Sequence, residues 1–110
     1  MSKQDKVLDR LSETLASRRN ADPETSYTAQ LFAGGPDSIL KKIGEECAEL
    51  IMAGKEGKRL KIVWESTDVI YHVLVLLAFY GLSVEDVLQE LRRREGISGI
   101  DEKKSRKAAK

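Results

Sequence analysis

The chain has 110 residues, 41% of them hydrophobic and 34% charged, which is enough apolar material for one small domain. Its net charge of +1 provides no strongly positive surface for nucleic acid or anionic lipid, so we expect neither partner. The single cysteine, Cys47, excludes an intramolecular disulfide and is typical of a reducing compartment. The polar N-terminus is unlike a signal peptide, and the apolar run 69–82 is shorter than the ~20 residues that span a bilayer. We therefore expect a cytoplasmic protein without a membrane partner.

Apolar residues at helical spacing predict that the first half of the chain is helical. Residues 4–18 are expected to form a first amphipathic helix. In the connector that follows, Ser26 is placed to cap a short helical turn, which the Gly34–Gly35 pair ends. A proline in the first turn favours a longer helix over about 36–53, and the two glycines of "AGKEGKR" provide its stop signals.

The second half is predicted to contain two more helices and a tail. One helix runs over about 59–80 and is stopped by Gly81. Ser83 is suited to cap the next helix, which ends near Gly96. The tail 96–110 is basic and has few apolar residues, so we expect it to be mobile unless a partner or ligand orders it.

Together these elements predict an all-α fold without an internal domain boundary or repeat. One domain would span 1–110, with a core over about 5–95 arranged as an antiparallel bundle of four to five helices. Residues 69–80 are apolar nearly all round, which indicates burial on every side of that helix. Because one short chain offers little cover, we expect a homodimer to complete the bundle.

Three carboxylates are crowded into the stretch "KKIGEECAEL", residues 41–50. Like charges at helical spacing weaken an isolated helix, so their grouping suggests a role. At about 100° per residue, Glu46 lies immediately beside an apolar stripe, Glu49 lies next to it and Glu45 points furthest away. The stripe consists of Ile39, Leu40, Ile43, Cys47, Leu50 and Ile51. We therefore expect at least Glu46 to be partly enclosed.

The following helix carries a second acidic face. Spacings of four, three and four residues align Lys61, Glu65, Asp68 and His72. The same side continues into apolar residues, so we infer that these charges also face inward. Two helices joined by a short turn run antiparallel, which would bring the two acidic faces together.

Several carboxylates in a half-enclosed site cannot all stay ionised without compensation. Protonation, basic partners and a divalent cation are three remedies that the residues leave open. Because no cysteine or histidine pair accompanies the carboxylates, a bound metal would be Mg²⁺ or Mn²⁺ rather than zinc. Ordinary structural roles compete with this interpretation: solvated helix faces for the carboxylates, salt bridges for Lys42 and Lys61, and core packing for His72.

The pattern Glu46-x-x-Glu49 followed by Glu65-x-x-Asp68 resembles the acidic signature of the all-α nucleoside triphosphate pyrophosphohydrolases, which include the MazG-like proteins and dimeric dUTPases. Two longer segments are similar to the phosphoribosyl-ATP pyrophosphohydrolase family of histidine biosynthesis: "SYTAQLFAGGPDSILKKIGEECAELIMAGK" and "ESTDVIYHVLVLLAFYGLSVEDVLQEL". The tail "RRREGISGIDEKKSR" also resembles the end of that family. The likeness covers roughly residues 5–106.

This resemblance implies a helical homodimer that requires Mg²⁺ and hydrolyses 1-(5-phosphoribosyl)-ATP between its α and β phosphates. The products would be 1-(5-phosphoribosyl)-AMP and pyrophosphate. Some relatives carry a fused cyclohydrolase for the next step. We expect this chain to be monofunctional, with a transient contact to a separate phosphoribosyl-AMP cyclohydrolase.

The resemblance also implies roles for the acidic and basic residues. Magnesium, or Mn²⁺ in its place, would be held by Glu46, Glu49, Glu65 and Asp68. Glu45 would orient or deprotonate the attacking water, or remain a salt-bridged surface residue. The candidate substrate contacts are Lys42, Lys61 and His72, and those for the additional ribose phosphate are Lys103, Lys104 and Arg106 of the tail. Two alternatives stay open: a housecleaning hydrolase of noncanonical nucleoside triphosphates with the same metal site, and a non-catalytic helical interaction module.

Overall fold

The computed structural model of the chain describes residues 6–109, with side chains as far as Lys107. Within that range it has six α-helices, one 3₁₀ turn at Arg18–Asn20 and no strand. The helices are α1 Val7–Ser17, α2 Tyr27–Ala33, α3 Gly35–Glu56, α4 Arg59–Phe79, α5 Val84–Arg94 and α6 Gly99–Ala109. The all-α prediction is confirmed, with one helix more than expected. The predicted start of the first helix, at residue 4, lies outside the described residues.

Local hydrogen bonds explain where two of the helices begin. The Ser26 hydroxyl accepts a hydrogen bond from the backbone N–H of Ala29 at 3.1 Å, which caps α2 as predicted. At α5, Ser83 and Asp86 form a capping box in which the Asp86 carboxylate accepts from the Ser83 N–H at 2.9 Å. Each cap satisfies backbone donors that the first turn of a helix leaves without a partner.

Two glycines with positive φ end the long helices. Gly57, at φ 72°, closes α3, and Gly81, at φ 74°, follows α4; a side chain at either position would strain the backbone. Gly54, expected to act as a stop signal, lies inside α3 instead. A single glycine weakens a helix by only about 1 kcal/mol, and the packing of α3 against α4 outweighs that loss. The short turn at Gly57 makes these two helices antiparallel neighbours.

The core lies where α4 packs between α1, α2 and α3. Its buried side chains are Leu15, Leu31, Phe32, Ile39, Leu74, Val75, Ala78 and Val84. Arg19 ties the connector after α1 to this core, because its guanidinium donates to the carbonyl oxygen of Ala78 at 2.8 Å. The same guanidinium lies 6.0 Å and 5.7 Å from the ring centroids of Phe32 and Phe79, within reach of a cation–π interaction.

A considerable part of the apolar surface stays open in the single chain. Leu40 and Ile51, which the α3 stripe assigned to the core, are 49% and 71% exposed. Trp64, which also has core spacing, is 57% exposed. Helical spacing identifies an apolar face, but it does not specify whether the covering surface belongs to the same chain.

An apolar groove of about 240 Å³ lies between α1, α4 and α5. We call it the apolar groove; it is lined by Leu8, Val69, Ile70, Val73, Leu74, Leu77, Val84, Val87, Leu88 and Leu91. Five of these side chains come from the segment 69–80, which the sequence predicted to be buried on every side. In the single chain one side of that segment faces the open groove.

Residues 99–109 form helix α6, whereas the sequence led us to expect a mobile tail. Glu102 of this helix is buried and forms ion pairs with Arg93 at 2.6 Å and Arg106 at 2.8 Å. Arg94 lies 3.8 Å from the same carboxylate. These contacts attach α6 to α5 through charge rather than apolar packing, so hydrophobic periodicity gave no signal for them.

By length and composition alone, α4 could cross a membrane, a property shared by core helices of soluble proteins. The first half of α4 carries Glu65 and Asp68, and charged side chains within a membrane span are costly.

Candidate metal centre

Helices α3 and α4 bring together three of the four predicted metal ligands. Glu46, Glu49 and Glu65 each offer one carboxylate oxygen, and these oxygens lie within 4.8 Å of one another. Glu46 and Glu49 are three residues apart on α3 and share a face, while the antiparallel α4 presents Glu65 to them. The two acidic faces therefore meet, as the antiparallel arrangement predicted.

Glu46 is the buried member of this cluster. It is 8% exposed, and its Oε2 has no hydrogen-bond partner among residues 6–109. Burial raises the pKa of the Glu46 carboxyl above its usual range, and a hydrogen bond with Glu49 and the charges of Glu49 and Asp68 raise it further. The Lys42 ammonium opposes this effect from 3.7 Å, but it also pairs with Glu45 at 3.5 Å. One lysine shared in this way leaves the cluster short of positive charge.

Asp68 stands at the edge of the cluster. Its side chain is exposed, and it is not one of the three residues whose oxygens lie within 4.8 Å of one another. Its charge nevertheless contributes to the raised pKa of Glu46. Asp68 therefore belongs to the electrostatic environment of the site.

His72 is buried, and both of its ring nitrogens have partners. Nδ1 lies 2.7 Å from the carbonyl oxygen of Asp68, and Nε2 lies 2.8 Å from the hydroxyl of Tyr27. Because a carbonyl oxygen can only accept, Nδ1 of the neutral ring carries the proton and Nε2 accepts from the Tyr27 hydroxyl. His72, a predicted substrate contact, thus has no free nitrogen for a substrate in this arrangement.

The remaining predicted residues divide between the cluster and its surroundings. Lys42 lies against the cluster, and the half-exposed Glu45 pairs with it. Lys61 pairs instead with Glu56 at 3.6 Å, near the turn that joins α3 to α4. In the tail, Arg106 is engaged with Glu102.

Three polar side chains near the site were not identified from the sequence. Burial raises the pKa of the Tyr27 hydroxyl, and Lys42 partly offsets this effect. The hydroxyls of Thr28 and Tyr71 hydrogen-bond to each other. Tyr27 lies 45 residues before His72, so no helical spacing links the pair. The only available signal is that Tyr27 and Thr28 fall within the "SYTAQLF" part of the family-like segment.

The residues present fit a hard divalent cation. Mg²⁺ prefers oxygen ligands, and the cluster offers carboxylate oxygens of which one is buried without a hydrogen bond. The only histidine nearby is fully hydrogen-bonded, so the cluster has the donor set of Mg²⁺ or Mn²⁺ rather than of zinc. Chemically, such a cluster can hold cations that neutralise phosphate oxygens.

Comparisons with known proteins agree with this chemistry. The family described as phosphoribosyl-ATP pyrophosphohydrolase matches residues 8–95. A protein of Dechloromonas aromatica named phosphoribosyl-ATP pyrophosphatase is 86% identical over 100 residues, which cover 91% of this chain and 93% of the relative. A protein of the same name from Azoarcus sp. is 60% identical over 92% of this chain and 94% of its own length. Another from Geobacter sulfurreducens is 52% identical over 96% of this chain and 98% of its own length. The chain therefore belongs to the phosphoribosyl-ATP pyrophosphohydrolase family of enzymes.

Proposed function

We propose that this chain hydrolyses 1-(5-phosphoribosyl)-ATP to 1-(5-phosphoribosyl)-AMP and pyrophosphate, the second step of histidine biosynthesis. Family membership over nearly the whole chain supports the substrate. The observation that carries the chemistry is the meeting of Glu46, Glu49 and Glu65 with too little positive charge around them.

Glu46, Glu49, Glu65 and Asp68 are the residues that would hold Mg²⁺, with Mn²⁺ as a substitute. When bound, the metal would supply positive charge for phosphate oxygens and favour ionisation of a water molecule. Cleavage of a phosphoanhydride mainly requires an in-line water and neutralised phosphate charge, so few protein groups need to react. The chain's own residues would therefore act mainly by positioning the water and the substrate and by placing charge near the phosphates.

Glu45 is the candidate for orienting the attacking water. It is half exposed, neighbours the cluster on α3, and has only the Lys42 ammonium as a partner among the described residues. Lys42 is the better of the two lysine candidates for the polyphosphate, because it lies 3.7 Å from Glu46 of the cluster, whereas Lys61 pairs with Glu56 near the turn between α3 and α4. His72 would act on the substrate only through Tyr27, since both of its nitrogens are occupied.

A homodimer is the proposed assembly, and the apolar groove is the proposed contact surface. Ile70 and Leu91 of the groove are 50% and 54% exposed, and exposed apolar side chains that lie together are typical of protein–protein contact surfaces. Ile70→Glu should place a charge in the interface and shift the sedimentation coefficient from dimer to monomer. Lys55→Glu, on the exposed end of α3, is the matched control and should remain dimeric. A wild-type monomer at low micromolar concentration would contradict the proposal.

The proposed location is the cytoplasm, and a separate phosphoribosyl-AMP cyclohydrolase is a proposed transient partner. Neither nucleic acid nor a membrane is a proposed partner, because the net charge is only +1.

Product analysis with phosphoribosyl-ATP, with and without Mg²⁺, tests the activity. We expect phosphoribosyl-AMP and pyrophosphate only when Mg²⁺ is present. Faster turnover of common or noncanonical nucleoside triphosphates would favour the housecleaning alternative. Glu46→Gln and Asp68→Asn should abolish turnover, while Glu56→Gln, outside the cluster, should not. Full metal binding by Glu46→Gln, together with no activity of the wild type on any nucleotide, would favour the non-catalytic module.

A further inference from the structure

A second polar site adjoins the acidic cluster. It is a cleft of about 300 Å³ between the end of α1 and the start of α2, and its polar lining includes Arg18, Tyr27, Thr28 and Tyr71. This volume is at the lower limit of ordinary ligand pockets, which run from about 300 to 1,000 Å³. It suits a single sugar phosphate better than a whole nucleotide. We call it the α1–α2 cleft.

Tyr27 forms the boundary between this cleft and the acidic cluster. It lines the cleft, while its hydroxyl is hydrogen-bonded to His72, which is in turn bonded to the backbone of Asp68. The charges of Lys42 and Glu46 both act on the Tyr27 hydroxyl, so it lies within electrostatic range of the cluster. The cleft and the acidic cluster are therefore linked through a single side chain, Tyr27.

The hydrogen-bond directions determine what Tyr27 can offer a ligand. Its hydroxyl proton is committed to Nε2 of His72, because Nδ1 of that ring donates to the Asp68 carbonyl. The Tyr27 oxygen is consequently left as an acceptor and suits a donor such as a sugar hydroxyl. A phosphate, which only accepts, does not fit it.

Arg18 supplies the cationic group that a phosphate in the cleft requires. It follows α1, lines the cleft, is exposed, and has no carboxylate within ion-pair distance among residues 6–109. A guanidinium without an anionic partner is well suited to bidentate binding of a phosphate. In the tail, Arg106 is already paired with the Glu102 carboxylate at 2.8 Å.

We propose that the α1–α2 cleft binds the phosphoribosyl group that distinguishes phosphoribosyl-ATP from ATP, with Arg18 on its phosphate and Tyr27 accepting from a ribose hydroxyl. This inference rests on the proposed function and adds the contacts that select the substrate. His72 is a positioning residue in this arrangement, because it fixes the Tyr27 hydroxyl without contacting the sugar.

The test compares the binding of phosphoribosyl-AMP and AMP to metal-free protein by isothermal titration calorimetry. Wild type should bind phosphoribosyl-AMP more tightly. Arg18→Ala should lose about 10- to 100-fold in affinity for phosphoribosyl-AMP while its affinity for AMP stays within twofold, as expected for a lost charge-assisted contact. Arg18→Lys, which keeps the charge, should retain part of the preference, and Lys55→Ala is the neutral control.

The role of the Tyr27–His72 pair is tested by the same comparison of affinities for phosphoribosyl-AMP and AMP. Tyr27→Phe and His72→Leu should each weaken phosphoribosyl-AMP binding several-fold at unchanged AMP affinity. His72→Gln, whose amide oxygen can still accept from Tyr27, should restore most of the preference. Equal losses for both ligands would show a structural role only and would overturn this part of the proposal.

Two further outcomes would overturn the cleft assignment. One is a preference for phosphoribosyl-AMP that survives in Arg18→Ala. The other is a preference lost in Lys103→Ala or Lys104→Ala instead, which would assign the phosphate to α6. Absence of phosphoribosyl-ATP hydrolysis by the wild type with Mg²⁺ would refute the proposed function, and that result is measured separately from the binding preference.

Discussion

Glu46→Gln should stabilise the protein in the absence of divalent metal ions. In the wild type, one Glu46 oxygen is buried without a hydrogen bond, and Glu49 and Glu65 place like charges beside it. An unsatisfied buried polar group costs about 1–3 kcal/mol. Glutamine removes one charge, and its amide can donate to the neighbouring carboxylates. We expect the free energy of unfolding to rise by about 1–2 kcal/mol, or roughly 4–10 °C in Tm for a domain of this size.

Thermal and urea unfolding with EDTA and with Mg²⁺ measure this effect. Protein concentration must be the same in every sample, because the stability of the proposed dimer would depend on it. Magnesium should reverse the order: at 100 times its Kd, a ligand that binds only the folded state adds about 2.7 kcal/mol. The variant has lost one proposed ligand and should gain less than the wild type. The two stability curves should therefore cross as Mg²⁺ is added.

Glu45→Gln is the matched control for this experiment. It makes the same change in charge one residue earlier, at a half-exposed carboxylate paired with Lys42 at 3.5 Å. Surface pairs of this kind contribute little, so its stability should stay within about 0.5 kcal/mol of the wild type. A Glu46→Gln protein that unfolds earlier than the wild type in EDTA would refute the reasoning, because the carboxylate would then be a net stabilising group without metal.

Four further predictions concern pH, the connector and α6. Folding raises the pKa of the Glu46 carboxyl above its ordinary value of 4.5. The protonated form of Glu46 is therefore tolerated in the folded state, and the associated stability is fully present below pH 4.5 and is lost as the pH rises through the folded pKa. The Tm advantage of Glu46→Gln in EDTA should accordingly vanish below about pH 4.5. Hydrogen bonds from Arg93 and Arg94 lower the pKa of Glu90 to about 2. The stability contributed by ionised Glu90 should therefore be lost only as the pH falls from 4.5 toward 2, and comparing the Tm of wild type and Glu90→Gln over that range measures the loss. Arg19→Ala should lower the free energy of unfolding by about 1–2 kcal/mol in urea titrations, from the lost backbone hydrogen bond and ring contacts. Glu102→Gln should release α6, seen as faster amide hydrogen exchange over 99–109 with little change elsewhere.

The sequence was sufficient for features that depend on local spacing. Helical periodicity and capping residues identified the main helices, including the caps at Ser26 and Ser83. The antiparallel arrangement of α3 and α4 followed from their short connection, and with it the meeting of Glu46 and Glu65. These inferences succeeded because each depends on residues within a few turns of one another.

Features that depend on distant partners could not be predicted in the same way. The Tyr27–His72 hydrogen bond spans 45 residues and connects a short helix to the middle of a long one. The attachment of α6 depends on a buried carboxylate, and hydrophobic patterns do not record ion pairs. Spacing also assigned Leu40 to the core, although it is 49% exposed, because an apolar stripe does not specify which surface covers it.

Two buried carboxylates in this fold differ in how their charge is compensated. Glu102 and Glu46 are 5% and 8% exposed, so burial alone does not distinguish them. Glu102 is surrounded by three arginines within 3.8 Å, whereas Glu46 has a shared lysine at 3.7 Å and two glutamates beside it. A carboxylate kept only for stability should be compensated by its own chain, as Glu102 is, because an unpaired buried charge is costly. The chain supplies that compensation at Glu102 but not at Glu46, and this difference supports the proposal that a divalent cation binds beside Glu46.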